Sequence, residues 1–558
     1  MVALDTKAPV SRAELLGAVL VSVVAAAGWY LLSLSLGAVG IARNDDWSFL
    51  DNAFRFAETG DFAIAGWVQM MLIGQLVLAA PVIAVFGQSV AALQALVALL
   101  GALLLVSAYL LLRNFLTPIW AGLATALAAA SSLFGLLSVS FMTDIPAAAF
   151  QLLALALAYR AFRGDRISWP VMLWATAAAL VAVSIREYAV VALAAIWLTA
   201  LRISRKKRSY RAFLVWTAVL ALVAIVMLLW RAGQVTVPDS RFGLNLFGIR
   251  YLPWWPLAAG WLLLPAVAAA NPLAVARRAW TSSRVLTVLA VLVAVVALVH
   301  TRLGFLGNYL SFSGGYAEVL RGVATPVLPS AWSIVVTIAA TYGAIALALL
   351  LVTPIHNVWA ARRTIIDRPV SEVSLLVSFL VLTLIMYAIA PLFADVAMFD
   401  RYFIAVLPVA AGLILWWLVR QDLTWAKPQA PVAAVLVVVT LTNILITAAT
   451  SARDAARWEL ASQAAALLGV AEGNIDGGFD YYTFNNSGLP RPDGVRWTWW
   501  TAYFGDRAVC ATLTYGDVGV SDIAAGPEPD QAPLLETIVS VPLARDQRLM
   551  VLEGPDAC

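Results

Sequence analysis

About thirteen apolar runs of membrane-spanning length succeed one another through the first 450 residues. They fall near 14–36, 89–112, 117–139, 145–162, 169–185, 188–201, 212–230, 256–270, 285–300, 331–353, 372–392, 402–419 and 430–450. A helix needs roughly 20 residues to cross a bilayer, so each run reads as a span. Of 558 residues, 62% are apolar and 12% charged, with a mean hydropathy of +0.88. A soluble protein cannot bury that much apolar surface, so the chain is expected to be an all-α polytopic membrane protein. Two histidines, His300 and His356, and two cysteines leave no material for a multi-His or multi-Cys metal site. Lys7 and Arg12 precede the first run, which lacks a small-residue cleavage site and reads as a span rather than a removed signal peptide.

Basic residues set the orientation. With the N-terminus inside and spans alternating, the inner loops hold Arg113, the Arg160–Arg166 cluster, the Arg202–Arg208 cluster, Arg277, Arg278, Arg284, Arg362, Arg363, Arg368, Arg420 and Lys427. Lys and Arg concentrate in cytoplasmic loops, which selects this orientation over its reverse. An odd number of spans then puts the C-terminus outside. The stretch 67–87 is apolar but contains Gln69, Gln75 and Pro81. It reads as a juxtamembrane or re-entrant segment against the outer leaflet, since a full crossing would invert every later loop.

After residue 450 the composition becomes mixed, giving a two-part chain: a transmembrane catalytic domain over 1–450 and a small α+β extracytoplasmic domain over 451–558. Ala455, Trp458, Ala461, Ala465 and Leu468 recur at helical spacing. AVCATLTYG, ETIVSVPL and QRLMVLEG read as strands. Cys510 and Cys558 both fall in this tail, where an oxidising compartment permits a disulfide; two free thiols are the alternative.

Topology also sorts the ionisable residues. The first outer loop carries Arg43, Asp45, Asp46, Asp51, Glu58 and Asp61. The second outer turn carries Asp144, and the next hairpin carries Arg186 and Glu187. Later outer loops offer Asp239, Arg241, Arg250, Arg302, Glu318, Arg321, Asp395, Asp400 and Arg401. Ionisable groups at membrane depth are costly and mark function. Each has a structural alternative. Asp45, Asp46 and Asp144 could cap helices, Arg186 and Glu187 could pair with each other, and Arg401 could snorkel to headgroups. The aromatic run at 250–256 reads first as an interfacial belt. Taken together, carboxylates suit a general base and arginines suit phosphate. A cleft with both suggests transfer from a phosphate-linked lipid.

Three motifs carry a family resemblance. Asp45-Asp46 follows the first span, with a helix from Phe49 to Ala57 and the ending Gly60-Asp61-Phe62. Thr143-Asp144-Ile145-Pro146 heads the fourth span. Arg401-Tyr402 opens a late span with Pro408 further in. Over roughly residues 10–420 the chain resembles the polyprenyl-phosphate-sugar-dependent glycosyltransferases of the GT-C fold, in particular the protein O-mannosyltransferase and lipid A aminoarabinose transferase group. The resemblance implies that Asp45, with Asp46 as alternate, deprotonates the acceptor and that Asp144 supports it. Arg401, Arg186 and Tyr402 would hold the donor phosphate. It implies inversion at the anomeric carbon and release of polyprenyl phosphate, with no cofactor, although oligosaccharide-transferring cousins use a divalent metal.

The chain departs from that pattern in three places. Asp46 stands where relatives usually have Glu, a Pro-Pro-Leu run after the first-loop helix is absent, and Ile185-Arg186-Glu187 replaces an expected Lys. The expected partners are the lipid-linked donor, the bilayer and an acceptor left open; nucleic acid is not among them. The rival reading is a multi-pass transporter or flippase, but no internal repeat is evident and the acids sit at span ends. An active site requires Asp45, Asp144 and an arginine to converge on one cavity.

Overall fold

The computed structural model describes residues 10–64, 67–68, 70–163, 167–206, 210–234, 254–300, 308–360, 373–393, 399–486, 498, 500–501, 507–516, 532–556 and 558. Outside these lie Arg166, Lys207, Arg208, Arg362, Arg363 and Arg368 of the basic clusters. The outer-loop candidates Asp239, Arg241, Arg250, Arg302 and Asp395 also lie outside them.

The protein is an integral membrane helical bundle with a small C-terminal sheet. Among the described residues, seven helices are long and apolar enough to cross a bilayer, from Arg12–Ser35 to Gln429–Leu468, and six shorter apolar helices accompany them. Two expected spans are broken. The run at 117–139 is interrupted where Ser131 adopts extended backbone and its hydroxyl accepts from Phe134 N, starting a new helix, Ser132–Leu137. The run at 256–270 divides into Trp255–Leu262 and Leu264–Val267, with Pro265 in the first turn of the second. Proline lacks the amide that would continue the helix. The stretch at 67–87 contains one 14-residue helix, Ile73–Phe86. At about 21 Å it is shorter than the hydrocarbon core.

Close helix approach depends on small residues, because lipid offers no hydrophobic drive for helix association. Gly260 lies against Ala340 and Ala344, and Gly343 against the Gly260 backbone, so neither position has space for a Cβ.

The segment after the first long helix builds the helix Asp46–Thr59, which buries Trp47, Phe49, Leu50 and Ala53 and ends at Gly60 with φ +70°. That left-handed turn suits glycine and starts the Gly60-Asp61-Phe62 ending.

The final helix, Gln429–Leu468, runs 40 residues without a break. The boundary at 450 therefore falls inside one helix. Its C-terminal half places Leu460, Ala461, Ala464 and Ala465 against Leu513, Leu549 and Val551 of the sheet. The strands are β1 (Ile475–Asp476), β2 (Ala511–Tyr515), β3 (Leu535–Val539) and β4 (Gln547–Glu553), in spatial order β1-β2-β4-β3. β1 is parallel to β2; the other pairings are antiparallel, with Leu513 opposite Val551 and Thr537 opposite Leu549. Gln547, Leu549 and Val551 alternate inward along β4. Cys510 and Cys558 form a disulfide across 48 residues of sequence.

Candidate active site

Asp45 occupies the N-cap position of Asp46–Thr59 but makes no side-chain cap. Its carboxylate turns to other partners. Oδ2 accepts from both Nη1 and Nη2 of Arg401 at 3.1 Å, and Oδ1 accepts from Trp67 Nε1 at 3.2 Å. Arg401 lies in the short 3-10 turn Asp400–Ile404 that leads into the helix Val406–Arg420. It is 5% exposed, so it does not snorkel to the headgroups. Its Nε is buried without a hydrogen-bond partner among the described residues, which leaves donor capacity on the guanidinium.

Asp144 repeats the arrangement. It begins the helix Asp144–Phe162, Thr143 holds the N-cap position without a side-chain cap, and Pro146 is in the first turn. The fully buried carboxylate accepts from Arg186 Nη1 at 3.0 Å, while the same nitrogen donates to Thr143 Oγ1 at 2.6 Å. Tyr188 OH donates to the other oxygen at 3.4 Å. Arg186 therefore pairs with Asp144 rather than with Glu187, which faces Arg231 at 3.9 Å.

Tyr402 joins the two pairs. The Arg186 guanidinium lies 4.9 Å from its ring centre and that of Arg401 lies 5.6 Å away. Such contacts favour cations over the ring face. Tyr188 packs edge-on and Tyr387 tilted against the same ring, and Tyr387 OH donates to the Tyr402 carbonyl at 2.8 Å. The loop through Tyr309 closes the Arg401 side. Asp400 accepts from Tyr309 N at 3.1 Å and Leu310 N at 2.5 Å, and burial pushes its carboxyl up to about 6.

Asp46 differs from its neighbour. The Asp45 side chain is 20% exposed, whereas Asp46 is fully buried. Asp46 Oδ1 accepts from Arg43 N at 2.5 Å and Oδ2 from Phe141 N at 3.0 Å. Burial raises its carboxyl well above the ordinary range despite these bonds. The Phe141 contact pins the first loop to the turn that delivers Asp144.

The structure thus brings together Asp45, Asp144, Arg186, Arg401 and Tyr402, while Asp46 is buried on the backbone amides of Arg43 and Phe141. Other first-loop acids are used elsewhere: Glu58 accepts from Gln88 at 2.6 Å and Asp61 from Ala63 N at 2.9 Å. A groove of about 580 Å³ between Phe56–Glu58 and Ala80–Gln88 contains none of the five converging residues. No group of three or more His, Cys, Asp or Glu side chains suited to a metal assembles among the described residues. Trp67, Tyr188 and Tyr309 are contacts that no sequence motif marked. Clustered aromatics near an acid-bearing turn were the available signal, but the same pattern describes any membrane interface.

Two carboxylate–arginine pairs, Asp45–Arg401 and Asp144–Arg186, thus meet at the ends of apolar helices. Residues 75–230, the helices that carry Asp144 and Arg186, match the family model described as dolichyl-phosphate-mannose-protein mannosyltransferase. Among solved structures the chain is similar to ArnT from Cupriavidus metallidurans bound to undecaprenyl phosphate, with a TM-score of 0.40, 15% identity, and coverage of 96% of this chain and 98% of that one. It is also similar to the Archaeoglobus fulgidus oligosaccharyltransferase tethered with an acceptor peptide, with a TM-score of 0.32, 14% identity, and coverage of 79% and 55%. No curated protein sequence matches the chain.

Proposed function

We propose that the protein moves a sugar from a polyprenyl-phosphate donor to an acceptor hydroxyl or amine at the extracytoplasmic face of the membrane, with inversion at the anomeric carbon. The observation that carries this reading is the pair of carboxylate–arginine contacts, Asp45–Arg401 and Asp144–Arg186, on either side of Tyr402. Two guanidiniums on one ring supply the planar, permanently charged donors that phosphate oxygens accept from. The matched family model names a lipid-phosphate sugar as donor, which agrees with that chemistry.

Asp45 is the better base than Asp46. It is the partly exposed member of the pair, and Arg401 is the partner a phosphate competes for. Donor binding draws Arg401 toward phosphate and leaves the Asp45 carboxylate free to accept the acceptor proton. The acceptor oxygen or nitrogen then attacks the anomeric carbon as the sugar–phosphate C–O bond breaks. The leaving phosphate keeps the bonding electrons and is stabilised by Arg401 and Arg186. Asp144 holds Arg186 in place, and Asp46 takes a positioning role because backbone amides occupy both its oxygens. No metal or nucleotide is part of the proposed reaction. The orientation expected from the basic loops, N-terminus inside and tail outside, places this site on the outer face.

The test is turnover by purified protein with polyprenyl-phosphate sugars, comparing wild type and Asp45→Asn. Loss of turnover in the variant supports the reading. Full turnover in Asp45→Asn removes Asp45 as base, and no turnover by the wild type with any such donor removes the donor class.

A further inference from the structure

The tail motif Ile475-Asp476-Gly477-Gly478-Phe479-Asp480-Tyr481-Tyr482 has no part in the site described so far, yet it reaches the residue directly before Asp45. Asp480 Oδ2 accepts from the backbone amide of Asn44 at 3.0 Å. The same carboxylate is gripped by Arg457 on the long terminal helix, with contacts of 2.8 and 2.5 Å, and both side chains are fully buried. Arg457 Nη1 also donates to the Gly477 carbonyl at 2.7 Å. Gly478, at φ +97°, lets this turn close, because a Cβ there would stand 2.7 Å from the Val319 carbonyl oxygen and 2.8 Å from Arg457 Nη1.

Asn44 needs such a grip. It sits at φ +55°, in the left-handed region that few residues other than glycine enter without cost. Its side-chain amide donates to Tyr309 OH at 3.1 Å, and Tyr309 lies over Arg401 with 6.0 Å from guanidinium to ring centre. The preceding residue is equally fixed. Arg43 N donates to Asp46, and its guanidinium donates to Asp454 and Ser451 of the terminal helix at 3.2 and 2.8 Å. The direction in which Asp45 leaves the chain is therefore set by two carboxylates on consecutive amides, one from its own helix and one from the tail.

We infer that Asp480, held by Arg457, is a positioning residue for the glycosyl transfer: through Asn44 the C-terminal unit orients the Asp45 carboxylate. The inference rests on the proposed role of Asp45. Its structural half, the control of residues 43–46 from the tail, can be read without turnover.

The experiment uses full-length protein in nanodiscs and two matched pair variants. Arg457→Met with Asp480→Leu removes the buried ion pair and the acceptor for Asn44 N together, leaving no unpaired buried charge. Arg457→Gln with Asp480→Asn also removes both charges but keeps a side-chain carbonyl for Asn44. Two quantities are measured: amide hydrogen exchange over residues 38–50, and kcat and donor KM with a polyprenyl-phosphate sugar. The expected result is exchange at 43–46 at least about tenfold faster in the Met/Leu protein, with kcat lowered about 30- to 100-fold, since small misplacements of reacting groups carry losses of that size. Donor KM stays within about threefold. The Gln/Asn protein recovers most of both. Equal exchange and equal kcat in the two variants overturn the inference. A wild type without turnover would sink the proposed reaction alone, because the exchange comparison still decides whether the tail fixes the loop. Should the Met/Leu protein fail to fold, Asn44→Gly and Asn44→Ala provide the comparison. Both lose the side-chain bond to Tyr309, so glycine, which keeps the positive φ, sets the baseline; alanine, which also strains the backbone, should show faster exchange and lower kcat than glycine, and identical behaviour of the two overturns the inference.

Discussion

Asp45 and Arg401 are 356 residues apart in sequence, and both terminal nitrogens of the arginine meet one oxygen of the carboxylate. The proposed base is thus half of an ion pair, with its second oxygen on Trp67. Both terminal nitrogens of Arg401 point at the oxygen that would take a proton, so the guanidinium must find another anion before that oxygen is open.

That arrangement separates the two partners kinetically. Asp45→Asn is expected to lower kcat by about 10²- to 10⁴-fold, the usual worth of a positioned base. Arg401→Lys keeps the charge but loses the planar fork, so donor KM should rise about tenfold or more. Steady-state kinetics in donor and acceptor separately will distinguish them. An Arg401→Lys enzyme with wild-type donor KM would remove the phosphate role.

Asp46 should behave as a brace. In Asp46→Asn, one of the amides of Arg43 and Phe141 faces an NH₂ group instead of an acceptor. A buried unsatisfied amide costs about 1–3 kcal/mol. The melting temperature should fall by several degrees, with kcat reduced through displacement of both acid-bearing turns. Thermal unfolding monitored by tryptophan fluorescence reads the first effect; an unchanged midpoint would contradict it.

Asp476 gives the tail a pH signature. Its Oδ1 accepts from Trp500 Nε1 at 2.7 Å and Gly478 N at 3.2 Å, while its buried Oδ2 has no hydrogen-bond partner among the described residues. Burial pushes the carboxyl up to about 6. A folded-state value above the unfolded one means the native protein binds the proton more tightly. This contribution to stability is complete below about pH 4 and is lost as pH rises through about 6. Asp476→Asn mimics the neutral form and should flatten that dependence. Melting curves at pH 5 and 7.5 for both proteins check it; parallel shifts would argue against a raised value.

The disulfide closes a long loop around β2 and β4. For a separation of 48 residues, constraint of the unfolded chain is worth about 4 kcal/mol. Cys510→Ala with Cys558→Ala should lower the stability of the tail and expose it to proteolysis, while the spanning helices stay protected. Limited digestion followed by intact-mass measurement shows which part is cut first.

Chelation addresses the cofactor. Turnover after exhaustive EDTA treatment is expected to match the untreated enzyme, because the proposed leaving-group stabilisation comes from guanidiniums. Recovery of lost activity by a divalent ion would assign the metal a part in the reaction.

The spans, the first-loop helix and the acid-bearing turns were legible because each is a local pattern: apolar length, amphipathic spacing, proline in a first turn. Asp144, Arg186, Glu187 and Arg401 stood out because charge is costly near lipid, and Asp45 because an acidic pair follows the first span. What could not be read was pairing. Arg186 is adjacent to Glu187 in sequence but chooses Asp144, since the helix end turns its guanidinium toward the bundle. Arg43 reads as an outer-loop cation, yet it is fully buried against Asp454 on the last helix. Sequence also could not show that Asp45 is partly exposed and Asp46 buried, because two identical side chains in succession differ only in the direction they face. Trp67, Tyr188 and Tyr309 carried no distinguishing signal among the many aromatics of a membrane chain.

The unbroken helix Gln429–Leu468 has a mechanical consequence. Forty residues make a rod of about 60 Å, twice the hydrocarbon thickness. Its lower half is anchored among the spans, where Asn443 donates to the Ala130 carbonyl at 2.9 Å, and its upper half bears the sheet. A rod with no break has no joint. A displacement of the tail is therefore carried into the bundle as by a stiff lever.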